Sequence, residues 1–324
     1  MPQNSTQLDA KDRKILEQLD LNARQSNSQI AKKVKVSKDV VNYRIKQLEK
    51  NSIIKGYYSV LNITKLGYVT YKLMLTFQNI TSEIEKEITG YFIKSPHVGW
   101  VVSCDGYYNL MAIAWVKSAI VFDDFFTDFL NKYSQYVQER DVIVITEIHT
   151  CRKAYLFNKK FDDSPDIFYS GEPEFDFDKT DLQIIKILAN NSRIPLYEIA
   201  SKLNLTAEAI AYRIKQLQKK NVIQAFRPII NTSQLGYQYY NILFRLQNFE
   251  NIKKIFQYFK QQPNIIYFIK YLGSYDIGID LEVKDDKELR AILKGIKDAF
   301  SKDIKSYNSV LIYEEHKLSY LPFA

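Results

Sequence analysis

The sequence predicts an α+β chain built from two copies of one unit, on three observations. The string YRIKQL stands at 43–48 and again at 212–217, inside the longer similar stretches SKDVVNYRIKQLEKN (37–51) and TAEAIAYRIKQLQKK (206–220). Apolar residues at i, i+4, i+7 run through both, as Val41, Ile45, Leu48 and as Ile210, Ile214, Leu217, the stripe of a helix with one face in a core. After each stretch the pattern runs strand, helix, strand, strand, helix, strand. A three-helix head followed by that order is a winged helix-turn-helix joined to a ferredoxin-like βαββαβ domain, and here each occurs twice.

A chain of 324 residues, 46% of them apolar, is long enough for several domains with real cores. The basic excess, 45 Lys and Arg against 37 Asp and Glu, is unevenly spread: residues 1–67 hold 13 basic and 6 acidic side chains, and 175–236 hold 9 and 5. Positive charge concentrated on the two heads fits release of counterions from DNA phosphates. Cys104 and Cys151 are too few for a disulfide framework, and the start MPQNSTQLDAKDRK lacks an apolar signal core, which predicts a cytoplasmic protein. The most apolar stretch, 98–116, is broken by Asp105, Gly106 and Asn109, so no membrane segment is expected.

In chain order, Asp9 caps a helix through Ile15, Leu16 and Leu19, and Ser28 or a neighbour opens a short helix with Ile30, Ala31 and Val34 inward. Ser37 and its counterpart Thr206 cap the third helix of each head. Ile53 to Tyr58 forms a short strand or wing. Beyond it, 68–77 is a strand and 82–94 a helix that ends before Pro96. Strands at 98–103 and 108–116 flank the turn Asp105-Gly106, a helix fills 119–133, and 142–148 is the closing strand. The second copy repeats these at 237–246, 252–261, 265–272, 275–283, 287–301 and 309–318. The expected boundaries are head one at 1–62, ferredoxin-like domain one at 63–158, a solvated linker at 159–174, head two at 175–231 and ferredoxin-like domain two at 232–324.

The polar face of the third helix in head one carries Lys38, Asp39, Asn42, Tyr43 and Lys46, and with Ser37 and Arg44 it forms a candidate recognition surface for double-stranded DNA. Head two offers Thr206, Tyr212, Arg213 and Lys215, but has Ala207, Glu208 and Ala211 where head one has Lys38, Asp39 and Asn42. Head one is therefore expected to read bases and head two to hold the backbone. A solvated amphipathic helix would show the same face; the duplication and the charge distribution favour DNA.

From Leu8 onward the chain resembles the Lrp/AsnC family of transcription regulators, on LDAKDRKIL, Ile30-Ala31, SKDVVNYRIKQLEKNSII, Leu66-Gly67 and the turns GYYNL and GSYDI. The resemblance implies a DNA-binding head and a ferredoxin-like domain, often called RAM, that dimerises through its sheet and takes a small effector such as an amino acid. With two units in one chain, it implies an intramolecular pseudo-dimer of RAM domains, which stops at one chain or stacks into a homo-oligomer. In the family the pattern Gly-x-Tyr-Asp lies near the effector and the dimer contact. Gly273, Tyr275 and Asp276 match it, while Gly106, Tyr108 and Asn109 depart at the acid. No phosphate-binding glycine loop, catalytic carboxylate pair or nucleophile motif stands out, so no cofactor, metal or catalytic residue is expected. Glu147, His149 and Cys151 are too few donors for a metal. The rival is an enzyme similar to the siroheme decarboxylases, which share this architecture; the histidine expected on the second strand is absent from Val98–Val101 and Ile265–Phe268.

Overall fold

The computed structural model describes residues 7–160, 167–169 and 177–321. Head one comprises α1 (Ala10–Leu21), α2 (Asn27–Val34), α3 (Lys38–Lys50) and β1 (Ile54–Leu61). Asp9 caps α1 in a reciprocal capping box with Asp12. Ser26, two residues before the serine expected, caps α2 by accepting from the Gln29 N–H. Ser37 Oγ accepts from the Val40 N–H at the start of α3. The first RAM domain follows as β2 (Val69–Phe77), α4 (Ser82–Lys94), β3 (Val98–Asp105), β4 (Leu110–Val116), α5 (Ala119–Tyr133) and β5 (Val137–Thr150). A short strand, β6 (Phe168–Tyr169), precedes head two: α6 (Lys179–Asn190), α7 (Leu196–Leu203), α8 (Ala207–Lys219) and β7 (Ile223–Ile230). The second RAM domain is β8 (Gln238–Leu246), α9 (Ile252–Lys260), β9 (Ile265–Leu272), β10 (Ile277–Val283), α10 (Asp286–Ala299) and β11 (Ile304–Leu318).

The short strand or wing expected after the recognition helix is present as β1, and β7 repeats it, but each finds its partner in the other head. β1 pairs antiparallel with β7, placing Tyr58 opposite Arg227. The reason is burial: Tyr57 to Leu61 is buried at every position, so neither face of β1 can be left to water. The exchange is reciprocal. The Ala23 N–H donates to the Phe226 carbonyl at 2.8 Å, and the Ser192 N–H to the Tyr57 carbonyl at 3.0 Å. Arg24 donates to the Ser192 and Ile194 carbonyls, and Arg193 to the Ala23 carbonyl. Ile15, Leu16, Ile184 and Ile185 belong to one core, so the two heads form one body.

The RAM domains also share strands. β5 begins before the expected 142 because Gln138, Glu139 and Arg140 are exposed and hide its pattern; its first part pairs with β2 and its last part with β9 of the other domain. Likewise β11 pairs with β8 and with β3. The order β2-β4-β3-β11-β8-β10-β9-β5, with β5 returning to β2, closes eight strands into a ring and removes free sheet edges. Alternation sorts the side chains: Leu73 and Leu75 face the outer helices α4 and α5, whereas Met74 joins Trp100, Met111, Ile143, Leu243 and Ile269 inside the ring.

The stretch expected as a solvated linker is partly structured. Residues 161–166 and 170–174 of it lie outside the described residues, but β6 adds to β5, with Tyr169 opposite Ile148, and Tyr169 packs against the core inside the ring.

Candidate nucleic-acid interface and a cavity beneath the ribbon

Lys38, Asp39, Asn42, Tyr43 and Lys46 are all exposed along α3, and on α8 so are Tyr212 and Lys215. Tyr43 and Tyr212 are 65% and 64% exposed, far more than a packed tyrosine. Ser37 and Thr206 act as caps, Thr206 Oγ1 accepting from the Ala209 N–H at 3.2 Å. Arg44 and Arg213 have another task. Arg44 bridges Asp9 at 2.6 Å and Asp12 at 2.8 Å, and Arg213 bridges Asp178 at 2.7 Å and Asp181 at 2.8 Å. Each guanidinium thus clamps the recognition helix to the start of its own first helix. The Asp12 backbone N–H, and after it Arg44, hold the Asp9 carboxyl below the ordinary carboxylate value; Arg44 is correspondingly raised by its two aspartates.

The turn residues expected around an effector are used in building the ring. Tyr108 and Tyr275 are 0% and 2% exposed. Their hydroxyls lie 3.0 Å apart; Tyr108 donates to Asp141 at 2.5 Å, and Asn308 donates to the Tyr275 hydroxyl at 2.6 Å. Asn109 accepts the Phe77 N–H at 2.8 Å and Asp276 the Leu246 N–H at 2.7 Å, so the loss of the acid in the first copy keeps the same strand-end bond. Gly106 (φ +126°) and Gly273 (φ +147°) adopt backbone that a side chain would strain. None of the six lines a large cavity found among the described residues.

That cavity, ≈ 660 Å3, lies between the β1–β7 ribbon and the ring, within the usual range for a ligand pocket. Its lining breaks the symmetry of the duplication. Lys72 of β2 has Asn241 as its counterpart; Ile113 has Asp280, Trp115 has Glu282, and Ile148 has Glu315. Lys72, 1% exposed, donates to Asn241 Oδ1 at 2.9 Å, and Asn241 donates in turn to Asp280. Burial lowers the Lys72 pKa and raises that of Asp280, each drawn partly back by the other's charge. Glu282 accepts from Lys153 and Thr232, both at 2.6 Å. Tyr58 and Tyr320 stack with ring centres 3.6 Å apart. The sequence reading missed all of these. The signal was present, as the positions where one copy holds a charge inside an apolar strand and the other does not.

Among the described residues no group of three His, Cys, Asp or Glu side chains converges to hold a metal. His149 contacts Glu147 and stacks on Phe268 at 4.1 Å, whereas Cys151 packs in the outer core of the second RAM domain. No helix among the described residues is long and apolar enough to cross a membrane.

Residues 8–55 match the family described as winged helix-turn-helix DNA-binding, and residues 177–218 match the AsnC-type helix-turn-helix domain. An uncharacterised helix-turn-helix transcriptional regulator of Pyrococcus furiosus is 30% identical over 145 residues, 45% of this chain and 94% of that protein. Another, from Pyrococcus abyssi, is 34% identical over 134 residues, 41% of this chain and 88% of that protein. One such regulator therefore corresponds to about one of the two units. Over nearly the whole length, the fold resembles that of the siroheme decarboxylase NirDL, with a TM-score of 0.64 at 14% identity, covering 95% of this chain and 92% of that one. The same protein has been solved with an iron-uroporphyrin III analogue. At that identity the likeness extends to the fold alone. With two matching heads, each joined to a RAM domain, the chain belongs to the Lrp/AsnC family of DNA-binding transcription regulators, two family units in one polypeptide.

Proposed function

We propose that the protein regulates transcription in the cytoplasm by engaging one DNA duplex with both heads, head one reading bases and head two gripping the backbone. The observation that carries this is the contrast between α3 and α8. The first exposes Lys38, Asp39, Asn42, Tyr43 and Lys46 in one row, and the second keeps Tyr212 and Lys215 but has alanine at 207 and 211. Arg44 and Arg213, spent on their aspartates, act by fixing the helices. The shared core of the two heads supports the pairing, because it sets their separation before DNA arrives and lowers the ordering cost of binding. The test is a competition between the protein's own upstream DNA and unrelated DNA across a salt series. A preferred site whose affinity falls as salt rises supports the reading; equal binding to both, or none, removes it.

The same reading includes control by a small effector held in the cavity, whose roof is the ribbon that joins the heads. An amino acid is the class that family membership favours. A second reading, an enzyme acting on a tetrapyrrole, is favoured by the fold shared with NirDL and by the size of the cavity. The cavity wall mixes Asp280, Glu282 and Glu315 with Lys55, Lys72, Lys153 and Arg227, so its charge favours neither reading; against the enzyme stands that no histidine among the described residues lines the cavity. Titration with iron uroporphyrin, followed by its absorbance, separates the two. Saturable binding would move the protein to the enzyme reading.

A further inference from the structure

A chain of side-chain hydrogen bonds runs from head two to the recognition helix of head one. Arg193, in the turn between α6 and α7, donates through Nη1 to the Ala23 carbonyl at 2.6 Å and through Nη2 to Asn27 Oδ1 at 3.1 Å. Its guanidinium also lies 5.1 Å from the centre of the Tyr57 ring, so it is anchored on head one from two sides. Asn27, the first residue of α2, donates in turn through Nδ2 to Asn42 Oδ1 on α3 at 3.3 Å. A side-chain amide can be turned end for end, but a guanidinium can only donate. The end of Asn27 that faces Arg193 must therefore be its oxygen, and the end that faces Asn42 its amino group. The end of Asn42 that faces Asn27 must then be oxygen. The relay runs one way. Arg24, the counterpart of Arg193, donates to the Ser192 and Ile194 carbonyls, and Leu196 and Ala211 stand where head one has Asn27 and Asn42. Head one therefore fixes no such amide in head two.

On the reading of α3 as the helix that meets base edges, we infer that Arg193 and Asn27 are positioning residues that set what Asn42 reads. With its oxygen held by Asn27, Asn42 turns its amino group to the major groove. It then selects the keto oxygen of a base pair, O6 of guanine or O4 of thymine, and not the amino group on adenine or cytosine. Asn42 is exposed and Asn27 half-buried, so a base reaches the first while the second stays held by head two. Fixing the amide before DNA arrives also lowers the cost of ordering it on binding. Head two thus takes part in sequence readout without touching a base.

The test uses the full chain and its Asn42→Ala, Asn27→Ala and Asn27→Asp variants. Selection from random-sequence duplexes with the unaltered chain and with Asn42→Ala locates the base pair whose preference depends on Asn42. Duplexes are then made in which a base analogue removes, at that pair, either the keto oxygen or the amino group. Each affinity is taken relative to that of Asn42→Ala on the same duplex, which cancels the weakened base pairing. Loss of the keto oxygen should cost the unaltered chain about fivefold or more, and loss of the amino group little. Asn27→Asp keeps an oxygen for Arg193 but offers Asn42 only an acceptor, so Asn42 turns its oxygen outward and the sensitivity should pass to the amino group. Asn27→Ala should leave Asn42 sensitive to both alike. Thermal melts check that each variant is folded; the keto preference of the unaltered chain decides the matter even if an Asn27 variant is not. Sensitivity of the unaltered chain to the amino group, a preferred site indifferent to Asn42, or a keto preference that survives both Asn27 variants overturns the inference and leaves site-specific binding standing. No preferred site for the unaltered chain removes the regulator reading, and this inference with it.

Discussion

At the scale of single residues, the side chains with the clearest tasks hold other groups in place. Tyr108 is fully buried, and its hydroxyl serves both Asp141 and Tyr275. Tyr108→Phe removes the donor for a carboxylate and leaves the Tyr275 hydroxyl short of a partner, so urea unfolding should show a loss of about 1–3 kcal/mol with DNA affinity unchanged. Arg44 makes a smaller and pH-dependent contribution. Asp9 and Asp178 are held below their usual value of 3.8 in the folded state. Their stabilisation is therefore full above that pH and is lost as pH falls through the lower folded value. Arg44→Gln should cost roughly 1 kcal/mol or less at neutral pH, as partly exposed pairs do. It should also flatten, without abolishing, the fall in melting temperature below about pH 4, because the backbone N–H of Asp12 remains.

At the scale of elements, the glycines test how closely the ring is packed. A Cβ on Gly273 would lie 2.5 Å from Ile143 Cγ2 in backbone with φ +147°, while one on Gly106, at φ +126°, would meet the Ser309 carbonyl oxygen at 3.1 Å. Each alanine substitution should cost about 1–3 kcal/mol in chemical denaturation, Gly273 more than Gly106. Gly99 has no such backbone constraint, but its Cβ would fall 1.9 Å from the Trp115 ring. Gly99→Ala should therefore shift tryptophan emission and destabilise by about 1–3 kcal/mol through overpacking. Elements with local causes were legible in the sequence: α4 and α5 run over 82–94 and 119–133 as their apolar spacing and caps require. Elements whose partners lie in the other copy were not. β1 shows no alternation because one face packs in the core of the heads while on the other Tyr58 and Val60 face the ring across the cavity, and β5 looked short because its exposed first part carries charges. Periodicity records which face is buried; it does not record which strand comes alongside.

At the scale of the whole molecule, duplication followed by divergence has turned symmetric contacts into asymmetric ones. A two-fold dimer sets each residue on its axis against its own copy. Here the corresponding pairs are Tyr58 with Arg227 on the ribbon and Lys72 with Asn241 below it, so a buried lysine meets an amide and a carboxylate instead of a second lysine. The proposed recognition surface can be drawn from the sequence because its residues are contiguous on one helix. The cavity was not, because its lining comes from strands far apart in sequence, and only a comparison of copy with copy exposes the charges that mark it. The same asymmetry underlies the division of labour proposed for the heads and makes it measurable. Lys215 of head two offers charge without base-reading neighbours, so Lys215→Ala should weaken binding to every duplex alike and lower the salt slope by about one. Asn42 of head one can bridge a base edge, so Asn42→Ala should cost about 1–3 kcal/mol on the preferred site while leaving unrelated DNA nearly untouched. Competition assays on the two variants across the same salt series check both outcomes. If Lys215→Ala also abolished site preference, both heads would be reading bases, and the alanines of α8 would be close-packed contacts to the groove instead of signs of a lost role.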